Sequence, residues 1–295
     1  MRKLLTFWKF TRPHTIIGSA VSVSALAFMG GGIDIFGTAP FAFAMVSALA
    51  CNVFITGYNQ VTDVATDKIN KPELPLASGE MQIETGKRIT RLSGLTAAVF
   101  AALVSWWFLA FIFSIGVLGF LYSWRAVFLK KRHLSAATAI SAVRGLLVNI
   151  GFYMLFAGTG SITEIPPEIW LLTSFVVLFS LGIAWFKDIP DVRGDAQAEI
   201  GTLAVTHGAE RAYLSGTVIV GAGYAAGIAV PFSVAFSHAD PWFVSAGHLM
   251  AGLAFAAFAA KTDPRKHEEI RRFYRLFWVL FFAEYIIFAA AFGAA

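Results

Sequence analysis

The stretch from residue 40 to residue 67 reads PFAFAMVSALACNVFITGYNQVTDVATD and joins a long apolar run to a repeated polar pattern. The apolar run, residues 40–60, has the roughly 20 residues that one helix needs to cross a bilayer. At its end Asn59, Asp63 and Asp67 recur every four residues, so a continuing helix presents all three on one face. The stretch predicts a membrane-spanning helix with a polar stripe at one end, although a solvated helix end is the simpler interpretation of two acids near a loop.

The composition extends this interpretation to the whole chain. Of 295 residues, 57% are hydrophobic and 14% charged, with a mean hydropathy of +0.69, whereas soluble domains have about 45–50% apolar and about 25% charged residues. We predict one all-α transmembrane domain over residues 1–295, an integral membrane bundle of nine helices around an apolar central cavity. The spans are expected at 14–32, 40–60, 92–109, 110–124, 135–157, 168–186, 211–231, 241–260 and 273–293. The third and fourth form either a tight hairpin or one long tilted helix.

Basic residues are distributed unevenly between the two sides of this bundle. With nine spans, 22 of the 23 Lys and Arg residues fall at the N-terminus or in and beside the even-numbered connections, while the opposite connections have none. Because cytoplasmic loops collect Lys and Arg, we predict a multi-pass protein whose N-terminus and basic loops are cytoplasmic. A cleavable signal peptide is the competing interpretation of the first 30 residues, but the main apolar stretch begins only after Lys9, Arg12 and Pro13.

Two other classes of protein are excluded by the same counts. The net charge of +5 does not indicate nucleic-acid binding, because no Lys/Arg-rich run with interleaved aromatic residues is present. The single cysteine, Cys51, excludes a disulfide scaffold.

A second acidic pattern closes the sixth predicted span. Residues 187–195 read KDIPDVRGD, so Asp191 and Asp195 repeat the four-residue spacing, and Pro190 and Gly194 predict a kinked or ending helix. Both patterns fall on the same side of the topology that the basic residues alone predict. With Asp188 of the second pattern, five carboxylates would come together at the mouth of an apolar bundle. They would repel one another and raise one another's pKa values.

Bound divalent cations would offset that repulsion most simply. Oxygen ligands without a Cys or His cluster indicate Mg²⁺ rather than Zn²⁺ or a redox metal. Because Mg²⁺ usually binds one or two carboxylates, water and a substrate phosphate, a diphosphate substrate is consistent with the pattern. Basic residues on the same side would supply the remaining positive charge: Lys68, Lys71, Lys130, Lys131, Arg132, Lys187 and Arg193. Each of them is equally well explained as an ordinary loop charge.

Four patches of the sequence are similar to one known family. They are FWKFTRPHTIIG at 7–18, the first acidic pattern continued through DKINKP at 67–72 to LPLASGE at 74–80, AVRG at 142–145 with Asn149, and KDIPD at 187–191 with Gly194 and Asp195. In these patches the chain resembles the UbiA-type intramembrane prenyltransferase superfamily and, within it, the homogentisate prenyltransferases. The resemblance implies transfer of a prenyl group, of the phytyl or geranylgeranyl type, from its diphosphate to an aromatic acceptor, with homogentisate and its decarboxylation expected.

The resemblance also implies roles for particular residues. The expected Mg²⁺ ligands are Asn59, Asp63, Asp67, Asp188, Asp191 and Asp195, of which Asp63, Asp67, Asp191 and Asp195 are the expected catalytic residues. The expected diphosphate-binding residues are Lys68, Tyr122, Lys130, Lys187 and Arg193. Relatives often carry a basic residue four positions after the tyrosine, whereas here Arg125 stands at three and Ala126 at four, and Lys130 and Lys131 follow.

Acceptor binding is expected at Arg144, Asn149 and His14. Arg144 lies well inside the fifth predicted span and is the only basic residue away from loops and helix ends. An intramembrane charge indicates function by default, so an anionic acceptor or the diphosphate is one expected partner of Arg144. A buried ion pair with Glu284 is the equally weighted alternative.

Other functions remain open at this point. A related transferase would use a hydroxybenzoate, a dihydroxynaphthoate, a chlorophyllide or a glycerol phosphate as acceptor. A secondary transporter is disfavoured because transporters usually place acidic sites near the bilayer midplane. The expected partners are a prenyl diphosphate, a small aromatic acceptor and membrane lipid, with no nucleic acid, and the sequence does not fix the oligomeric state.

Overall fold

A computed structural model describes residues 2–294, and these residues form a bundle of nine long helices. We label them α1 Pro13–Gly31, α2 Ala39–Asn70, α3 Ile83–Val104, α4 Trp106–Ser123, α5 His133–Ala157, α6 Pro167–Asp188, α7 Ala209–Ala229, α8 Pro241–Ala260 and α9 His267–Ala294. Shorter helices cover Arg2–Phe10, Pro75–Ser78, Val192–Gln197 and Leu203–His207. Within residues 2–294 the β pairing is limited to an isolated parallel bridge between Arg132 and Gly201. The predicted all-α class is confirmed.

Eight of these helices are long and apolar enough to cross a membrane, which makes the chain an integral membrane protein. The remaining one, α3, has 22 residues, but its N-terminal half carries Glu84, Lys87, Arg88 and Arg91. With α3 packed among the others, the bundle agrees with the predicted nine helices.

The third and fourth predicted spans form a tight hairpin. A residue that touches both helices shows this: the Phe54 side chain lies beside Gly94 of α3 and beside Gly116 of α4, each eleven positions from Ser105. In one straight helix those two glycines would be about 33 Å apart. The expected boundary between residues 109 and 110 is wrong, because Ser105 is extended and its hydroxyl caps α4 by accepting the Phe108 N–H at 3.2 Å.

The second helix continues ten residues beyond its predicted end at residue 60 and carries the first acidic pattern on its last turns. It packs tightly against α3: the Ser47 hydroxyl donates to the Ala97 carbonyl at 2.8 Å, and a Cβ on Gly57 would lie 2.5 Å from the Thr90 hydroxyl. Small residues and hydroxyls are the usual contacts between membrane helices. The long helix thereby brings Asp63 and Asp67 to one end of the bundle.

A π-helical segment, Ala142–Leu147, interrupts α5. Here α5 lies directly on α6, since a Cβ on Gly145 would come within 2.7 Å of the Val177 Cα. The segment contains Arg144, and single π turns of this kind occur often at functional sites.

Candidate active site

A polar cavity opens at the end of the bundle where α2 and α6 finish. All six residues expected as Mg²⁺ ligands line it, together with basic and hydroxyl side chains: Arg12, Asn59, Asp63, Thr66, Asp67, Asn70, Lys71, Tyr122, Lys130, Lys187, Asp188, Asp191, Asp195 and Thr202. The five aspartates are only 5% to 8% exposed. Burial of this many carboxylates is costly unless each is paired or bound to a cation.

Three lysines compensate three of these aspartates. Lys130 forms an ion pair with Asp63 and Lys71 forms one with Asp191. The Lys187 ammonium lies 3.1 Å from the Asp188 carboxylate. Burial lowers the pKa of Lys130 in spite of the adjacent Asp63.

The remaining two aspartates are less well compensated. The Asp67 carboxylate faces the cavity and forms no hydrogen bond or ion pair within residues 2–294. Burial, with the nearby carboxylates of Asp188 and Asp191, raises the pKa of Asp195 to about 7. These two carboxylates are where additional positive charge would stabilise the cavity most.

The donor set suits Mg²⁺. The amide nitrogen of Asn59 donates to Asp63 at 2.7 Å and to Ser123 at 3.0 Å, so its carbonyl oxygen is oriented away from both partners. Within residues 2–294 no three His, Cys, Asp or Glu side chains converge as a ready metal cage. Mg²⁺ needs no such cage, because it usually binds one or two carboxylates together with water and substrate phosphate.

Asn70 holds the two acidic patterns in register. Its amide nitrogen donates to the Asp195 carboxylate at 3.2 Å, and its carbonyl oxygen accepts the Gly194 N–H at 2.8 Å. A Cβ at Gly194 would lie 2.4 Å from that carbonyl oxygen, so the close approach requires glycine. The last turn of α2 is therefore fixed to the helix Val192–Gln197.

A second connection holds the loop that carries Lys130. In the bridge between Arg132 and Gly201, the Gly201 N–H donates to the Lys131 carbonyl at 2.8 Å and the His133 N–H donates to the Gly201 carbonyl at 3.1 Å. The loop after α4 is thus joined to the segment that follows Asp195.

Two of the expected diphosphate-binding residues lie outside the cavity. Lys68 and Arg193 are exposed and do not line it. Lys68 follows Asp67 directly, and one residue along a helix turns the side chain by about 100° to another face. Lys71, four positions after Asp67, does line the cavity.

The other expected residues of this group do reach the cavity. The Tyr122 hydroxyl accepts a hydrogen bond from the Lys187 ammonium at 3.1 Å. Lys130 reaches Asp63 from the turn Leu129–Lys131. The basic residue of this loop that lines the cavity, Lys130, therefore follows Tyr122 by eight positions along the chain.

An apolar cavity of about 240 Å³ continues from the polar one into the bundle. Helices α1, α2, α4, α5, α6 and α9 line it, and four residues border both cavities: Arg12, Asn59, Tyr122 and Lys187. Its described lining contains Arg144 as a further cation and no carboxylate. An elongated apolar molecule with an anionic end fits the joined cavities.

Arg144 points into the apolar cavity, where its guanidinium lies 4.9 Å from the centre of the Trp278 ring. The alternative expectation, an ion pair between Arg144 and Glu284, is wrong. Glu284 lies 2.8 Å from His248, and both side chains are almost completely buried. The Glu284 carboxylate therefore pairs with His248 of α8 and not with Arg144.

The two other expected acceptor-binding residues differ in position. His14 lines the apolar cavity with its ring edge-on to Trp278, 4.8 Å between centres. Asn149 is fully buried and does not line the cavity. It accepts a hydrogen bond from the Tyr285 hydroxyl at 2.8 Å, and Tyr285 does line the cavity.

The sequence of this chain matches a known family. The UbiA prenyltransferase family matches residues 18–281. The chain belongs to that family. This UbiA-family chain is 35% identical to a homogentisate phytyltransferase of Synechocystis sp., over 99% of its own length and 96% of the relative's. It is 31% identical to a homogentisate solanesyltransferase of Arabidopsis thaliana, over 95% of its own length and 75% of the relative's.

Solved UbiA homologues share the fold. The chain aligns with a homologue from Aeropyrum pernix at a TM-score of 0.68 and 16% identity, covering 96% of this chain and 98% of the other. A homologue from Archaeoglobus fulgidus, solved with DMAPP and Mg²⁺, aligns at a TM-score of 0.63 and 14% identity, covering 95% and 99%.

Asn70 and Trp278 are among the residues of the candidate site that the sequence does not single out. Asn70 lies within the resembling patch DKINKP, but nothing in that patch indicates that Asn70 contacts the second acidic pattern. Trp278 lies on α9, far along the chain from all the quoted patches. Their roles depend on contacts between distant segments.

Proposed function

We propose that this protein transfers a phytyl or geranylgeranyl group from its diphosphate to an aromatic acceptor, with homogentisate as that acceptor. One observation carries the proposal: a polar cavity rich in buried oxygen donors and lysines opens directly into an apolar cavity through Arg12, Asn59, Tyr122 and Lys187. In one continuous space of this kind, a diphosphate head would lie among polar groups and a long hydrocarbon tail among apolar ones. Relatives at 31% to 35% identity that act on homogentisate support the choice of acceptor.

The polar cavity binds the diphosphate in this proposal. Mg²⁺, held there by Asn59, Asp63, Asp67, Asp188, Asp191 and Asp195 together with phosphate oxygens, would act as a Lewis acid that stabilises the leaving group. Lys130 and Lys187 supply further positive charge, and Tyr122 orients Lys187. Lys71 joins this group in place of Lys68, and Arg193 remains in solvent.

The apolar cavity protects the reactive intermediate. As the prenyl C1–O bond breaks, the electron pair leaves with the diphosphate and an allylic cation remains. Side chains such as Phe152, Ile112 and Ile115 enclose the tail and exclude water. Aromatic side chains that line the same cavity, including Tyr122 and Trp278, stabilise the positive charge.

The acceptor lies at Arg144 in this arrangement. No carboxylate is among the described residues that line the apolar cavity with Arg144. The carboxylate of an anionic acceptor therefore pairs with Arg144. His14 and Tyr285 border the same space, and Asn149 positions the Tyr285 hydroxyl. An electron-rich ring carbon then bonds to C1 of the prenyl group and loses its proton, while the acceptor carboxyl leaves as CO₂ and a proton replaces it.

The proposed orientation places the N-terminus and the polar cavity in the cytoplasm. It follows from the positive charge gathered at the cavity end of the bundle. Single cysteines introduced as Arg125→Cys and Thr163→Cys should react with a membrane-impermeant maleimide from opposite sides of intact vesicles. The native Cys51 is buried and should give little background. Labelling of both sites from one side would contradict the orientation.

The main experiment uses purified protein in detergent or vesicles, radiolabelled phytyl or geranylgeranyl diphosphate, Mg²⁺ and a panel of acceptors. The panel contains homogentisate, a hydroxybenzoate, a dihydroxynaphthoate, a chlorophyllide and a glycerol phosphate. We expect a prenylated, decarboxylated product with homogentisate and none in EDTA. No product with any acceptor, or full activity in EDTA, would refute the proposal.

Variants of the acidic residues test the metal assignment. Asp63→Ala and Asp191→Ala should each abolish turnover while leaving the protein folded, because each removes a carboxylate from the polar cavity. Asp34→Ala is the matched control, since Asp34 is exposed in the turn after α1 and lies outside both cavities. Wild-type turnover in either cavity variant would remove the residue from the metal site.

A further inference from the structure

Arg12 has an unusual backbone conformation beside the active site. Its φ of 54° lies in the left-handed region, at the junction between the helix Arg2–Phe10 and α1. This region disfavours residues with a Cβ, and a non-glycine residue there often marks a functional constraint.

The chain on both sides of Arg12 is firmly held. Phe10 is completely buried, and its ring packs against α2 where Gly57 leaves room. The Gln60 amide donates to the Phe10 carbonyl at 2.6 Å. On the other side Pro13 begins α1. These contacts compensate for the unfavourable backbone and fix the direction of the Arg12 side chain.

The Arg12 side chain reaches the boundary between the two cavities. It lines both of them, and its Nε atom is buried without a hydrogen-bond partner. Within residues 2–294 Arg12 forms no ion pair, whereas Lys71, Lys130 and Lys187 are each paired with an aspartate. Arg12 can therefore bind an incoming anion without first breaking an ion pair.

We propose that Arg12 binds the diphosphate of the prenyl substrate at the cavity boundary. The inference rests on the proposed function, which places the diphosphate in the polar cavity and the tail in the apolar one, so that the group joining them lies where Arg12 is. A guanidinium donates two parallel hydrogen bonds to phosphate oxygens, which an ammonium group cannot do. Arg12 is thus a substrate-binding residue that orients the leaving group.

The decisive variant is Arg12→Gly. Glycine accepts a positive φ readily, so this change removes the guanidinium and relieves the backbone at the same time. If Arg12 only stabilises the fold, the variant unfolds at a lower temperature. If Arg12 binds diphosphate, the unfolding temperature stays the same or rises while affinity for the anion falls. Arg12→Lys keeps the charge without the paired donors, and Arg88→Gln is the control at an exposed arginine of α3.

The measurement is isothermal titration of the purified protein with inorganic pyrophosphate in the presence of Mg²⁺. We expect Arg12→Gly to bind about tenfold to a hundredfold more weakly, Arg12→Lys to fall between it and wild type, and Arg88→Gln to match wild type. In turnover assays the KM for prenyl diphosphate should rise in the same order.

Two results would overturn the proposal: equal pyrophosphate affinity in Arg12→Gly and wild type, or no measurable pyrophosphate binding by wild type. If Arg12→Gly fails to fold, equal affinity of Arg12→Lys and wild type for pyrophosphate overturns it too. A wild-type protein that binds pyrophosphate but prenylates no acceptor would instead refute the proposed function, so the two failures are distinguishable.

Discussion

The contact between Asn70 and Gly194 predicts a strong coupling between two substitutions. In Gly194→Ala the new Cβ would lie 2.4 Å from the Asn70 carbonyl oxygen, so the Asn70 side chain must move and lose both of its hydrogen bonds. One of these bonds goes to a carboxylate and one to a backbone N–H, worth about 2–4 kcal/mol together. Alanine in place of a helical glycine returns about 0.5–1 kcal/mol. The net cost of Gly194→Ala should be about 1–3 kcal/mol.

The same substitution should behave differently when Asn70 is already absent. In an Asn70→Ala background the obstacle is gone, so Gly194→Ala should be neutral or stabilise by about 0.5–1 kcal/mol. The free energy of unfolding is measured by SDS titration in mixed micelles. Gly221→Ala is the control, because nothing lies within 4 Å of a Cβ at Gly221. An equal cost of Gly194→Ala in both backgrounds would show that the two residues do not interact as described.

Three further outcomes are expected. Because the pKa of Asp195 is about 7 in the folded protein and its ordinary value is 3.8, the contribution of Asp195 to the stability of the metal-free protein should be largest below about pH 4 and be lost as the pH rises through about 7. Asp195→Asn should remove this part of the pH dependence of the unfolding temperature, and an unchanged profile would contradict the assignment. Gly227→Ala would place a Cβ 1.9 Å from the His248 ring and should lower the SDS-unfolding free energy by about 1–3 kcal/mol; an unchanged free energy would show that the ring does not restrict this position. Tyr122→Phe removes the acceptor for Lys187, so the KM for prenyl diphosphate should rise about fivefold; an unchanged KM would show that Lys187 needs no such anchor.

The features predictable from the sequence are those that depend on local periodicity. The four-residue spacing of Asn59, Asp63 and Asp67 was enough to place them on one face, and all three line the polar cavity. The uneven distribution of Lys and Arg was enough to bring the second acidic pattern to the same end. Long apolar segments predicted where the helices lie, but not where their polar ends stop: α2 runs ten residues past its predicted end, α3 begins nine residues before its predicted start, and α3 and α4 meet at Ser105.

Other features depend on contacts between distant segments and are not encoded locally. In the sequence Lys68 and Lys71 look alike, as lysines beside the first acidic pattern. The position at which α2 ends determines that Lys71 is the one that pairs with Asp191. Glu284 was an available partner for Arg144 by charge alone, but His248 on α8 is nearer in space. The conformation of Arg12 is set by the burial of Phe10 against α2, which the residue type of Arg12 does not indicate.

The hairpin of α3 and α4 also has a consequence for how the chain enters the membrane during synthesis. The charges at the start of α3 make it a poor substrate for insertion as a single segment, whereas α4 is strongly apolar. Because only Ser105 separates the two helices, we expect them to enter the membrane together, with α4 carrying α3 across. Trp106 and Trp107, both exposed at the tip, are suited to anchor that unit at the far interface. On this expectation the short connection at Ser105 couples the insertion of α3 to that of α4, besides capping α4.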